Sequence, residues 1–135
     1  MSPGCKRFWG RFSQCEKVYV VDKFFGKDNY LRLLHELRII SQCIDYHRPT
    51  IKIITKKVDN LKAITTNDIN AEILFARQDN INKYLKYIHD RFVWIDGEIW
   101  HFGAAAGGMH PGYQVVSGGW NDIDKNFEKL CENFF

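Results

Sequence analysis

A chain of 135 residues that is 45% hydrophobic and 26% charged has the size and apolar content of one ordinary domain, able to bury roughly two thirds of its unfolded surface. That composition excludes a disordered tail, and no window holds the roughly 18 consecutive apolar residues of a membrane span. The net charge of +3 is uneven: residues 1–67 carry 13 Lys+Arg against 6 Asp+Glu, and residues 68–135 carry 6 against 10. An anionic partner is therefore expected on the first half, unless those charges are only solvated helix faces.

Met1-Ser2-Pro3-Gly4-Cys5-Lys6-Arg7 lacks the hydrophobic region of a signal peptide, so a cytoplasmic protein with no membrane partner is expected. Lys6-Arg7-Phe8-Trp9-Gly10-Arg11-Phe12 mixes basic and aromatic residues. It is either an amphipathic turn that contacts nucleic acid or membrane, or a terminal lid whose aromatics pack on the core. Lys17-Val18-Tyr19-Val20-Val21-Asp22 reads as a buried strand. Phe24-Phe25-Gly26-Lys27-Asp28 follows as a turn with Asp28 placed to cap a helix. In that helix Tyr30, Leu33, Leu34, Leu37, Ile40 and Ile44 form one apolar stripe, which Pro49 brings to an end.

Thr50-Ile51-Lys52-Ile53-Ile54-Thr55 reads as a second strand, parallel to the first through a right-handed crossover. Lys56-Lys57-Val58-Asp59 is a basic loop at its carboxyl end, the edge where open α/β sheets usually hold ligands. Thr65-Thr66-Asn67-Asp68 is expected to cap a helix running to about Gln78, with Ile69, Ile73 and Leu74 inward. Tyr84 to Ile88 and Phe92 to Asp96 read as strands, Asp96-Gly97 as a tight turn, and Ile99 to Phe102 as the return strand. Gly103 to Gly108 is a small-residue loop, Tyr113 to Val116 a further strand, and Gly118-Gly119 the approach to a helix capped by Asn121. That helix carries Ile123, Phe127, Leu130 and Phe134 on one face.

Cys5, Cys15, Cys43 and Cys131 stand apart with no Cys-x-x-Cys and read as reduced structural thiols. The five histidines offer no short-spaced ligand pair, so no metal and no cofactor are expected. The most informative stretch runs from Ile88 to Gly103. Side chains two apart on a strand share a face, so His89, Arg91 and, from the neighbouring strand, His101 are expected to surround a single anion. His110 and Tyr113 are either covers for that pocket or plain turn residues, and Gly103, Gly107 and Gly108 either form an anion nest or merely connect.

His89-Asp90-Arg91, four further residues, Asp96, and then Gly103 after a short strand resemble the His-x-Lys-x4-Asp and Gly-Ser-x-Asn signature of the phospholipase D superfamily. The resemblance covers about Val18 to Val116. It is nearest to short single-motif versions on bacterial regulatory, mobile-element and defence proteins. It implies one domain over residues 1–135, an α/β fold with a phospholipase D-like mixed sheet of about five to seven strands and helices on both faces. Carried over by position, it makes His89 a nucleophile toward phosphorus, Arg91 the phosphate clamp, and Asp96 an orienting or structural carboxylate. His101, Gly103 and His110 are its candidate substrate-binding residues.

Three departures shape the expected activity. Arg91 stands where the signature has lysine, Ala104 and Ala106 stand where it has Ser and Asn donors, and only one motif copy is present. The reading is a degenerate domain that binds a phosphate-containing ligand, nucleic acid or nucleotide, with little or no turnover. Two alternatives stand beside it. One is a homodimeric, metal-independent phosphodiesterase or nuclease working through a phosphohistidine; the other is an interaction module that docks a partner protein of a defence or mobile-element system.

Overall fold

Val18, Tyr19, Val20 and Val21 are all buried, as happens when a strand runs through the middle of a sheet covered on both faces. A computed structural model describes residues 3–64, 68–88, 90–102 and 116–135. In chain order these form helix α1 (Pro3–Phe12), strand β1 (Lys17–Val21), α2 (Lys27–Ser41), β2 (Thr50–Ile54), α3 (Val58–Lys62) and β3 (Glu72–Phe75). Then come α4 (Gln78–Tyr84) with a 3₁₀ turn (Leu85–Tyr87), β4 (Arg91–Ile95), β5 (Glu98–Phe102), β6 (Val116–Asn121), a second short turn (Ile123–Lys125) and α5 (Asn126–Glu132).

One six-stranded sheet has the order β3-β2-β1-β4-β5-β6. β1, β2 and β3 are parallel, and β4, β5 and β6 continue the sheet antiparallel. On one face Phe8 and Phe12 of α1 and Leu33 and Leu37 of α2 pack on Val18, Val20, Ile51, Ile53, Val93 and Ile95. Ile81 of α4 and Cys131 of α5, with Leu85 and Phe134, pack on Tyr19, Val21, Ile54 and Trp94 of the other. Each fully buried leucine here stabilises the fold by about 1.5–3 kcal/mol. The α/β class, the mixed sheet and the helices on both faces are as the sequence predicts. Among the described residues no helix is long and apolar enough to cross a membrane.

Several local expectations are corrected. The predicted helix up to Gln78 is instead β3, which pairs Glu72 with Thr50 and Ile73 with Ile51; a ready ladder partner overrides helical spacing. Thr65, Thr66 and Asn67 lie outside the described residues. Tyr84 to Ile88 is the end of α4 and a 3₁₀ turn, not a strand, because Ile81 and Leu85, both buried, follow helical spacing. Ile44, assigned to the α2 stripe, lies beyond the helix and is 92% exposed. Asp28 sits in the first turn of α2, whose N-cap is Gly26.

Gly118 and Gly119 belong to β6. Trp120 pairs with Ile99 and Gly118 with Trp100, so Gly119 is the extra residue of a bulge. At Gly118 (φ +152°) a Cβ would stand 2.5 Å from the Ile99 carbonyl oxygen. Ahead of α5 the backbone N–H groups of Phe127 and Glu128 donate to the Asp122 carboxylate, so Asp122 rather than Asn121 does the capping. Ile123 and Leu130 are exposed.

The aromatics of α1 resolve the terminal alternative. Phe8, Trp9 and Phe12 are buried, with Phe8 edge-on to Trp100 and Phe102, while Arg11 pairs with Glu98 outside. All four cysteines are free and three are buried. Burial pushes the Cys15 and Cys131 thiols up to about 12, far from reactive.

Candidate functional site at the carboxyl edge of the parallel strands

Parallel strands β1 and β2 both end at one edge of the sheet, and antiparallel β4 begins there. The pairing of Val21 with Phe92 carries the next residues, Asp22 and Arg91, onto one face. Arg91 Nε lies 3.4 Å from Asp22 Oδ1, with side chains 17% and 5% exposed. The backbone N–H of Phe24 donates to the same oxygen at 2.9 Å. Burial raises the pKa of Asp22, opposed by the Phe24 N–H and by the Arg91 charge. Asp22 thus ties Arg91 to the turn that follows β1.

The expected gathering of Arg91 and His101 on one side is overturned. The two-residue turn Asp96-Gly97 sets Ile95 opposite Glu98, and counting outward Phe92 faces His101 while Arg91 faces Phe102. Successive cross-strand pairs alternate between faces. Arg91 therefore lies with Val93 and Phe102 on the α1–α2 side, and His101 lies with Phe92 and Trp94 on the other. There the His101 ring sits 5.1 Å from that of Phe92, with Nε2 3.8 Å from an Asp90 carboxylate oxygen.

Asp96 stands at the far end of β4 from Arg91, five residues away or about 17 Å along a strand. Its carboxylate accepts from the N–H of Glu16 and of Lys17, and its own N–H donates to the Lys17 carbonyl at 3.1 Å. At φ 47° it fills the left-handed position that a tight hairpin turn demands. It lashes the β4–β5 turn to the start of β1, and of the two roles expected for it this geometry serves the structural one. His89, Gly103 and His110, with Tyr113, Ala104, Ala106, Gly107 and Gly108, lie outside the described residues.

Beside the Asp22–Arg91 pair the same edge opens into a cavity of about 450 Å³ between the β1–α2 and β2–α3 loops. Lys23, Lys27, Lys56 and Lys57 line it with Phe24, Phe25, Asn60, Leu61 and Ile64, and no carboxylate is among its lining residues. The two loops are bonded to each other: the Lys56 N–H donates to the Lys23 carbonyl at 3.3 Å, and the buried Thr55 hydroxyl donates to it at 3.2 Å. Lys57 is held at φ 56°, a left-handed conformation that costs a non-glycine residue about 1 kcal/mol or more. Among the described residues none of the four lysines makes an ion pair, whereas Lys17, Lys52, Arg11, Arg32 and Arg38 all do.

The Lys56-Lys57 wall was legible in the sequence as a basic loop at a ligand-holding edge. The opposite wall, Lys23 to Lys27, reads there only as a turn, although it follows a parallel strand at the same edge and carries the same charge. Among the described residues no three His, Cys, Asp or Glu side chains cluster to hold a metal ion. No family model, no curated protein and no solved structure matches the chain.

Proposed function

We propose that the protein binds a phosphate-containing ligand, a nucleic acid or nucleotide, at the carboxyl edge of β1 and β2, with little or no turnover. The observation that carries this reading is the cavity lined by four lysines and no carboxylate. Four lysines around one concavity, with no carboxylate in its lining, concentrate positive potential there, which an oxyanion neutralises and an apolar guest does not. Lysine is a point charge suited to phosphate oxygens of varied geometry. The phospholipase D-like motif supports a phosphate ligand from the sequence side, and the domain is read as a degenerate member of that superfamily.

Support for little turnover comes from the candidates themselves. Arg91 is paired with Asp22, His101 faces the other side of the sheet, and Asp96 is engaged with backbone N–H groups at the far end. Alanines replace the signature's donors at positions 104 and 106, and one lost donor of this kind costs about 100-fold or more in rate.

Titration calorimetry with inorganic pyrophosphate at low salt tests the binding reading. Wild-type protein is expected to bind, and the double variant Lys56→Glu, Lys57→Glu to bind at least about tenfold more weakly. Equal affinity in both, or none in the wild type, overturns it. Rapid hydrolysis of bis(4-nitrophenyl) phosphate that vanishes in His89→Ala contradicts the low-turnover half and favours the phosphodiesterase.

A further inference from the structure

We infer that the ligand of the lysine-lined cavity is a single-stranded nucleic acid, with Phe24 as the platform on which one of its bases stacks; this rests on the phosphate-binding reading above. Phe24 is 72% exposed while its neighbour Phe25 is buried, so the turn spends one ring on the core and turns the other outward. That outward position is built. The Phe24 N–H donates to the buried Asp22 carboxylate at 2.9 Å, and the Phe25 N–H closes a turn onto the Asp22 carbonyl at 3.2 Å. A ring presented on a braced turn loses little freedom when a ligand covers it.

The charges stand where a strand would need them. Lys56 Nζ sits over one face of the Phe24 ring, 5.9 Å from its centre, and Lys23, Lys27 and Lys57 line the cavity that the ring borders. A base stacked on Phe24 therefore has cations within reach of its flanking phosphates, the combination that single-strand binders use without reading sequence. The cavity, about 450 Å³, falls in the range of small-ligand sites, about 300–1,000 Å³. A duplex keeps its bases stacked inside, so it offers phosphates to the lysines and nothing to the ring. Lysines without arginine forks, and one amide, Asn60, as the polar uncharged side chain of the lining, favour backbone contact over base-edge readout.

Fluorescence anisotropy with labelled oligothymidylate of about a dozen nucleotides tests this, beside a duplex of equal length, pyrophosphate and phosphatidylserine vesicles. Oligothymidylate is expected to bind tighter than the duplex. Phe24→Ala should weaken it about tenfold or more, a much larger loss than the same variant shows for pyrophosphate, and Phe24→Trp should retain it. If pyrophosphate binds through Lys56 and Lys57 but Phe24→Ala leaves oligothymidylate affinity unchanged, or the duplex or the vesicles bind tighter, this inference falls and the phosphate site stands. If pyrophosphate binding is absent or indifferent to both lysines, both readings fall.

Discussion

The Asp22 carboxylate faces a backbone N–H at 2.9 Å and a guanidinium nitrogen at 3.4 Å from a side chain only 5% exposed. Because burial sets its pKa above the ordinary 3.8, the folded state holds the proton more tightly than the unfolded chain. The contribution of this group to stability is therefore largest below the unfolded value and falls as the pH rises through the folded one. Asp22→Asn, which fixes this side chain in a neutral form, is expected to flatten that limb of the pH–stability profile. Urea unfolding across the acid-to-neutral range checks this; an unaltered slope would mean that Asp22 titrates alike in both states. Asp96→Ala should cost about 2 kcal/mol, since two backbone N–H groups lose their acceptor and an alanine is left at positive φ. Pyrophosphate affinity should then stay within about a factor of two, because the turn lies far from the lysine cavity; a selective loss of binding would return Asp96 to the site.

At the scale of elements, the β4–β5 hairpin decides which candidates can meet. Its Asp-Gly turn was legible, and with it the register: pairing Ile95 with Glu98 already places Arg91 and His101 on opposite faces. Period-two reasoning within one strand does not carry across a hairpin until the pairs are counted. β1, α2 and β2 were equally legible, because apolar runs and one helical stripe agree with their tertiary surroundings. β3 was not, since an edge strand of four residues owes its existence to β2 rather than to its own periodicity. Nor was β6, whose Gly118-Gly119 has the composition of a loop and the geometry of a bulge. Gly118→Ala should destabilise the domain by about 2 kcal/mol or more, because the new Cβ meets backbone on β5 that has nowhere to go. A thermal midpoint equal to that of the wild type would show that β6 does not pair in this register.

Across the whole molecule, the surplus of positive charge in residues 1–67 finds its place. Many basic residues of that half are spent on ion pairs, as Lys17 and Lys52 are on Glu128 and Glu132 of α5, while Lys23, Lys27, Lys56 and Lys57 converge on one edge. Composition alone showed the asymmetry but not the convergence, which needs the parallel crossover to bring two loops together. The sheet supplies the rigidity: two cores clamp β1 and β2 from both faces, so the loops they carry are fixed at their roots.

The central claim is that phosphate charge is neutralised by those four lysines, and salt dependence reads it most directly. If all four contact phosphates of a single strand, the logarithm of the association constant for oligothymidylate should fall with the logarithm of salt concentration at a slope of about −3, and replacing Lys56 and Lys57 by alanine should make it shallower by about 1.4. An affinity indifferent to salt, or a slope unmoved by the double substitution, would contradict the account.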